Sequence, residues 1–301
     1  KGDVKALASL VDWDTLMARA TAGLGIAEET AQDTRKGLVD AAKTRGIFFA
    51  LVDAAKNGGG VRYLEAKSAA TRGERKAVFR VLQPSGSFDH YAFLLSRRAD
   101  KRVLAVDWSM LSLGEELSAM LRRMLSPMQS DRLAAIASQV SSEEALILKS
   151  GPQVIEMQSH VAAGRPQDAI AVYDKLPPSA QHAKLVLITR IAAAQKLGDE
   201  ALRVASEDLI KYHPNDPSAA LAAIDVYVIR GEHDKALAAV DKLTVHGGPD
   251  PYFHVLRGNM LLQMKKLDEA EAAALQAVTE EPELAPAKAL LASIAALRSQ
   301  P

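Results

Sequence analysis

Seven histidines and three clusters of acid beside aromatic are the groups of this chain whose types and spacing could do chemistry, and it has no cysteine. The histidines are His90, His160, His182, His213, His233, His246 and His254. No two of them stand four apart, and HExxH is absent, so the pairing that puts two imidazoles on one helix face around zinc is missing. Glu232-His233-Asp234 is the densest group of ligating types. It falls where a turn passes into a helix, where acidic residues favour the helix N-terminus. Without cysteine there is no thiolate site, disulfide or thiol nucleophile. No GxSxG elbow offers a serine nucleophile. Asn57-Gly58-Gly59-Gly60 is followed by Val61-Arg62 rather than the Lys-Ser/Thr a phosphate-cradling loop requires, and reads as a flexible helix-to-strand connection. Trp13, flanked by Asp12 and Asp14, reads as a half-buried side chain at a helix start with one of the aspartates as N-cap. What remains is Asp89-His90-Tyr91 and Asp107-Trp108. An acid and a phenol enclosed together can move a proton, and Asp107 with Tyr91 or His90 is the pair to test. The plainer reading buries Tyr91 in the core, so no residue is expected to be catalytic.

These residues must be positioned by elements that periodicity predicts. Residues 1–57 read as helical, with Val4, Leu7, Leu10 and Val11, then Leu16, Met17 and Leu24, mostly three or four apart; Gly46 kinks or divides the run. The period then switches to alternation. Four strands are predicted at Val61–Ala66, Arg75–Leu82, Phe88–Arg97 and Arg102–Ser109, joined by connections too short for parallel crossovers. Alternation puts Ala77, Phe79 and Val81 on one face, with Tyr91, Phe93 and Leu95, and with Leu104, Val106 and Trp108. A helix over Gly114–Met124 follows, then a helical linker over 128–150.

From residue 151 the chain repeats itself. Tight-turn residues fall at Gly164, Gly198, Gly231 and Lys265, at intervals of 34 (198 minus 164), 33 (231 minus 198) and 34 (265 minus 231). Ala169, Ala236 and Ala270 stand five residues after three of them; after Gly198 the alanine is Ala201, so that turn is shortened or shifted. The clearest unit is Pro251–Pro282, where Gly258, Ala270 and Ala277 are small where two helices would approach closely. This pattern resembles the tetratricopeptide repeat, a pair of antiparallel helices whose stacked copies form a solenoid. The resemblance implies about four repeats, a capping helix over Ala285–Arg298, and a concave groove that binds another protein or a peptide. In that family groove residues come mostly from the first helix of each pair. Mapped by the turns, they are Gln158, Asp225 and Asn259, then Gln195 and Lys196, Gln263, and Tyr252. A carboxylate clamp of the kind some members carry has too few contributors here, only Asn259, Lys196 and Arg190. A mixed polar and apolar groove for a helix or extended segment fits the residues better. Over residues 1–127, helices followed by an antiparallel sheet resemble the cystatin-like domains of the nuclear transport factor 2 superfamily, in order of elements only.

The expected architecture is therefore an α+β N-terminal domain (1–127, helices then a four-stranded antiparallel sheet, cystatin-like), a helical linker (128–150) and an all-α helical solenoid of tetratricopeptide type (151–301). Lys+Arg and Asp+Glu both number 37, so nothing in the bulk charge attracts nucleic acid or anionic lipid. No apolar run approaches the roughly 20 residues needed to span a bilayer. The start at Lys1, already inside an apparent helix, is read as following a removed leader or lipid anchor, hence an exported bacterial protein, periplasmic or envelope-associated, with the cytoplasm as the alternative. The expected function is a non-enzymatic adaptor or scaffold without a cofactor or metal. The alternatives are a structural subunit of a bacterial envelope complex and, behind it, small-ligand binding or catalysis in the N-terminal domain.

Overall fold

A computed structural model describes residues 3–44, 48–84, 87–125 and 150–299. The chain divides into two compact units, Lys1–Val186 and Leu187–Pro301. The division expected at Gly46 and the linker expected over 128–150, Ser150 apart, lie outside the described residues.

The first unit opens with helices α1 (Val4–Ser9), α2 (Trp13–Thr21), α3 (Glu28–Thr44) and α4 (Phe49–Lys56). Aspartates start the first two. Asp3 accepts from the backbone N–H groups of Lys5 and Ala6, and Asp12 from that of Thr15. Each satisfies donors that a helix N-terminus leaves without partners. Trp13 is buried rather than half-buried, and its indole donates to the Ala8 carbonyl at 2.9 Å.

The sheet has five strands, not four: β1 (Gly60–Ser68), β2 (Glu74–Leu82), β3 (Phe88–Arg97), β4 (Val103–Met110) and β5 (Glu115–Glu116), antiparallel in sequence order. The fifth was expected to be the start of a helix. Two residues are too few to show alternation, and Gly114, at φ 63, turns the chain back so that Glu115 and Glu116 pair with Met110 and Ser109. Helix α5 (Leu117–Leu125) begins only after that pairing. The other half of β4 is covered by the segment between α1 and α2: Val11 bridges Ala105 in parallel, with Asp12 N–H to the Ala105 carbonyl at 2.8 Å and Ala105 N–H to the Leu10 carbonyl at 2.9 Å.

The Gly58–Gly60 connection is tight. A Cβ on Gly59 would lie 2.2 Å from the Leu82 carbonyl oxygen and 3.0 Å from the Ala54 backbone. Glycine lets α4 and the end of β2 approach there. The loop is a packing point rather than a flexible link.

Two bulges set which residues face the helices. Leu64 is the extra residue in β1, and Val106 in β4, where Leu94 pairs Asp107 but Leu95 pairs Ala105. A bulge reverses the parity of everything beyond it. Ala77, Phe79, Tyr91, Phe93 and Leu95 share a face as expected. Of the three residues assigned to that face from β4, Trp108 is there, opposite Phe93, but Leu104 pairs Ser96 on the other side and Ala105 takes the inner place opposite Leu95. On the inner face an aromatic line crosses the sheet: Tyr63–Phe79, Phe79–Phe93 and Phe93–Trp108 centroids lie 5.5, 5.8 and 6.0 Å apart. Trp108 then meets Phe48 at 5.6 Å and Trp13 edge-on at 6.3 Å. Leu16, Ala20, Ala42, Leu51, Ala54, Leu117 and Leu121 complete this core. Burial of such rings dominates the stability of a small sheet domain.

From Gly151 the described residues form helices only. Those of the first unit are α6 (Gly151–Ala162), α7 (Pro166–Tyr173) and the one-turn α8 (Pro178–Gln181). Helix α9 (Lys184–Ala194) crosses the division. The second unit continues with α10 (Asp199–Tyr212), α11 (Pro217–Ile229), α12 (His233–Gly247), α13 (Tyr252–Gln263), α14 (Leu267–Glu280) and α15 (Ala285–Arg298). In the second unit each helix from α10 onward packs on its successor, and α15 also touches α13.

Three of the interhelical turns are the same object. Gly164, Gly231 and Lys265 hold φ of 68, 68 and 60. The N–H of the next residue reaches back five: Arg165 to the His160 carbonyl at 2.9 Å, Glu232 to Tyr227 at 2.8 Å, Lys266 to Leu261 at 2.9 Å. The left-handed residue itself bonds three back, to Val161, Val228 and Leu262. This is the Schellman termination, which satisfies the last carbonyls of a helix and reverses the chain. Gly198 also has positive φ, 105, but lacks the five-back bond. Gly258 sits between α13, α14 and α15. A Cβ there would lie 2.6 Å from Leu290 Cδ2 and 3.2 Å from the Ala270 carbonyl oxygen. The four alanines Ala270, Ala273, Ala274 and Ala277 of α14 are buried.

Candidate functional site

The acid–phenol pair weighed from sequence is not assembled. Asp107 pairs with Leu94 and Tyr91 with Phe79, on opposite faces of the sheet. His90 shares the outer face with Asp107, but the strand register separates them by four residues, roughly 13 Å at strand rise. Asp107 is wholly buried and used as an acceptor. Oδ1 takes the backbone N–H groups of Trp108 and Ser118 at 2.9 and 3.1 Å, and Oδ2 takes the Ser118 hydroxyl. It caps α5 from a neighbouring strand. Asp89 repeats the arrangement, accepting from the His90 and Ser112 backbone at 2.8 and 3.1 Å and from the Ser112 hydroxyl, and so holds the chain between β4 and β5. Burial raises the Asp89 carboxyl although those hydrogen bonds oppose it. Burial, with the charge of Asp89 added, raises the Tyr91 phenol well above its ordinary value, so it stays protonated at neutral pH. Both carboxylates are spent on the fold.

Among the described residues no group of three or more His, Asp or Glu side chains could hold a metal ion, and no helix is long and apolar enough to cross a membrane. Glu232 of the Glu232-His233-Asp234 group pairs with Lys235 at 2.6 Å and Arg230 at 3.8 Å.

Two open clefts stand out. One, of about 1110 Å³ in the first unit, lies between α1, α2 and α3, with Lys5, Arg35, Lys36 and Lys43 balanced by Asp14, Glu28, Asp33 and Asp40. The other, of about 610 Å³ in the second unit, is lined by α12, α13 and α14. Its polar side chains answer one another: Arg257 to Asp241 at 3.1 Å, His254 to Glu280 at 3.4 Å, Gln276 to Glu280 at 3.0 Å.

The residues assigned to partner binding are placed as follows. Gln158 is half-buried on α6, in the first unit. Gln195 and Lys196 are exposed in the turn that follows α9. Asp225 is exposed on α11, and Asn259 and Gln263 are exposed one turn apart on α13. Tyr252 is buried, 6% exposed, in the first turn of α13, and belongs to the packing rather than to the open surface. Asp225 differs from its neighbours. It makes no hydrogen bond or ion pair with any described residue, and although water reaches it, enough protein surrounds it to raise its carboxyl. Burial is the sole cause of that rise, with no charged neighbour contributing.

Sequence reasoning missed Val228 and Ile229, 43% and 38% exposed. They lie three and four residues beyond Asp225, on the same side of α11. Their spacing was visible, but α11 reads PSAALAAIDVYVI, apolar on every side, so no periodicity marks which residues face outward. No family model, no curated protein and no solved structure matches this chain.

Proposed function

We propose that this protein is a non-enzymatic adaptor whose helical half is a solenoid of tetratricopeptide type, with a groove that holds a segment of a partner protein. The first unit, a cystatin-like α+β domain in this reading, supplies a second contact. The observation that carries the proposal is the thrice-repeated Schellman turn at Gly164, Gly231 and Lys265, each joining two short helices at the period of the sequence repeat. Helices turned back at a fixed interval cannot each bury their apolar faces alone, and stacking that solves this creates a concave surface. The small residues at Gly258, Ala270 and Ala277 support close helix approach in the last unit. Asp225, Asn259 and Gln263 offer that surface polar groups open to solvent.

The test is affinity capture with cross-linking from extract of the source organism, comparing the full chain with the full chain carrying Asp225→Ala, Asn259→Ala and Gln263→Ala. All three side chains are exposed, so the helical circular-dichroism signal should be unchanged. A protein captured by the first and lost by the second, with cross-links to Lys196 or Lys265, supports the groove. Equal capture by both chains overturns it and moves the contact to another surface.

A further inference from the structure

The face of α11 says more about the partner than its site. Going along α11, Leu221, Asp225, Val228 and Ile229 fall within about one-third of the helix circumference. Leu221 is half-buried and the other three are exposed. Other exposed acids of the second unit that make no ion pair with a described residue, Asp199, Asp234 and Glu269, stand in the first turn of a helix, where the helix N-terminus favours them; Asp225 is in the interior of α11, beside two large aliphatic side chains open to water. Asp225 makes no hydrogen bond or ion pair with a described residue, and Arg230, five residues on, is held by Glu207 and Glu232. A carboxylate partly withdrawn from water without a counter-charge is a cost to the fold, and burial is the sole cause of its raised carboxyl. Such a cost is recovered when a cation arrives with its own apolar flanks, because the ion pair then forms where water is scarce.

Resting on the adaptor reading above, we infer that the bound partner segment is basic and aliphatic: a Lys or Arg side chain set against Asp225, with Leu, Ile or Val side chains against Val228 and Ile229. This is the reverse of a groove built to hold a terminal carboxylate, which needs converging cations. Here the free charge of α11 is negative.

A phage-displayed library of random peptides, selected on the immobilised full chain, tests it without knowledge of the natural partner. The enriched peptides should share a Lys or Arg with aliphatic residues within one or two positions. A synthetic peptide of that consensus should bind about tenfold more weakly to Asp225→Asn, the weight of one charge-assisted contact, and several-fold more weakly to Val228→Ser. Lys288→Gln, an exposed change on α15 outside the assigned groove residues, should bind it as the parent does. Enrichment of acidic or uncharged peptides overturns the inference, as does consensus binding indifferent to Asp225→Asn. If the selected peptides lose affinity with Asn259→Ala and Gln263→Ala but not with Asp225→Asn, the groove stands and its assigned chemistry falls. If no peptide is enriched, or none responds to any of these changes, both readings fall together. Because Asp225→Asn removes an uncompensated charge, its thermal midpoint should not drop, which separates lost binding from lost folding.

Discussion

The turn residues invite an exchange experiment, Gly231→Ala against Lys265→Gly. Both positions hold the left-handed conformation, at φ 68 and 60, and both end a helix through the same pair of backbone bonds. At Gly231 an added Cβ would meet nothing within 4 Å, so the cost of alanine there is conformational alone. An L-residue in this region is disfavoured by roughly 1–2 kcal/mol, while glycine gives up about 0.5–1 kcal/mol more chain entropy on folding. The difference predicts that Gly231→Ala destabilises its helix pair by about 1 kcal/mol, and that Lys265→Gly stabilises its own by about 0.5–1 kcal/mol. Lys265 is exposed and makes no side-chain hydrogen bond or ion pair with a described residue, so removing its side chain loses nothing else. Native-state hydrogen exchange read by mass spectrometry is the assay, because it resolves one helix pair from the next and does not require the chain to unfold in one step. Protection across α11 and α12 should fall about fivefold in the first variant. Protection across α13 and α14 should rise by two- to fivefold in the second, on the same scale. If Lys265→Gly lowers protection, the lysine side chain holds that turn, the two turns are not equivalent, and the repeat argument loses its strongest support.

Three further outcomes follow from the packing. Gly59→Ala should cost about 3 kcal/mol or more, since every atom its Cβ would strike is backbone; tryptophan fluorescence during urea unfolding reads this, because both tryptophans lie in the core of the first unit, and a loss under 1 kcal/mol would mean the connection is looser than it looks. Asp107→Ala should cost about 3 kcal/mol by leaving the Ser118 hydroxyl and two backbone N–H groups without an acceptor, and Ser118→Ala about 1 kcal/mol; equal losses would refute the assignment of Asp107 as a cap on α5. Asp225→Asn should raise the melting temperature at neutral pH. The folded carboxyl titrates above its ordinary value of 3.8, so stability present at lower pH is lost as pH rises through the folded value; the advantage of asparagine should vanish as pH falls below about 3.8, and a pH-independent advantage would show that charge is not its origin.

What the sequence alone determined is what short stretches of backbone decide for themselves. The order of helices and of the first four strands, the hairpin connections and the tight turns at Gly164, Gly198 and Gly231 follow from periodicity and from glycine's tolerance of positive φ, and Lys265 follows from the repeat interval alone. Gly258 was legible too, as a small residue where two helices meet. Tertiary structure decided the rest. One extra residue in β4 exchanged Leu104 for Ala105 on the inner face, because alternation carries no record of where a bulge will fall. Strand β5 exists only because the turn at Gly114 brings two glutamates alongside β4. Tyr252, assigned to the groove from sequence, is buried, while Val228, one apolar residue among many on α11, is exposed, since which side of a helix meets solvent depends on its neighbours. The same holds for Asp225. Its residue type was plain, but that no described residue bonds or pairs with it is a matter of tertiary packing.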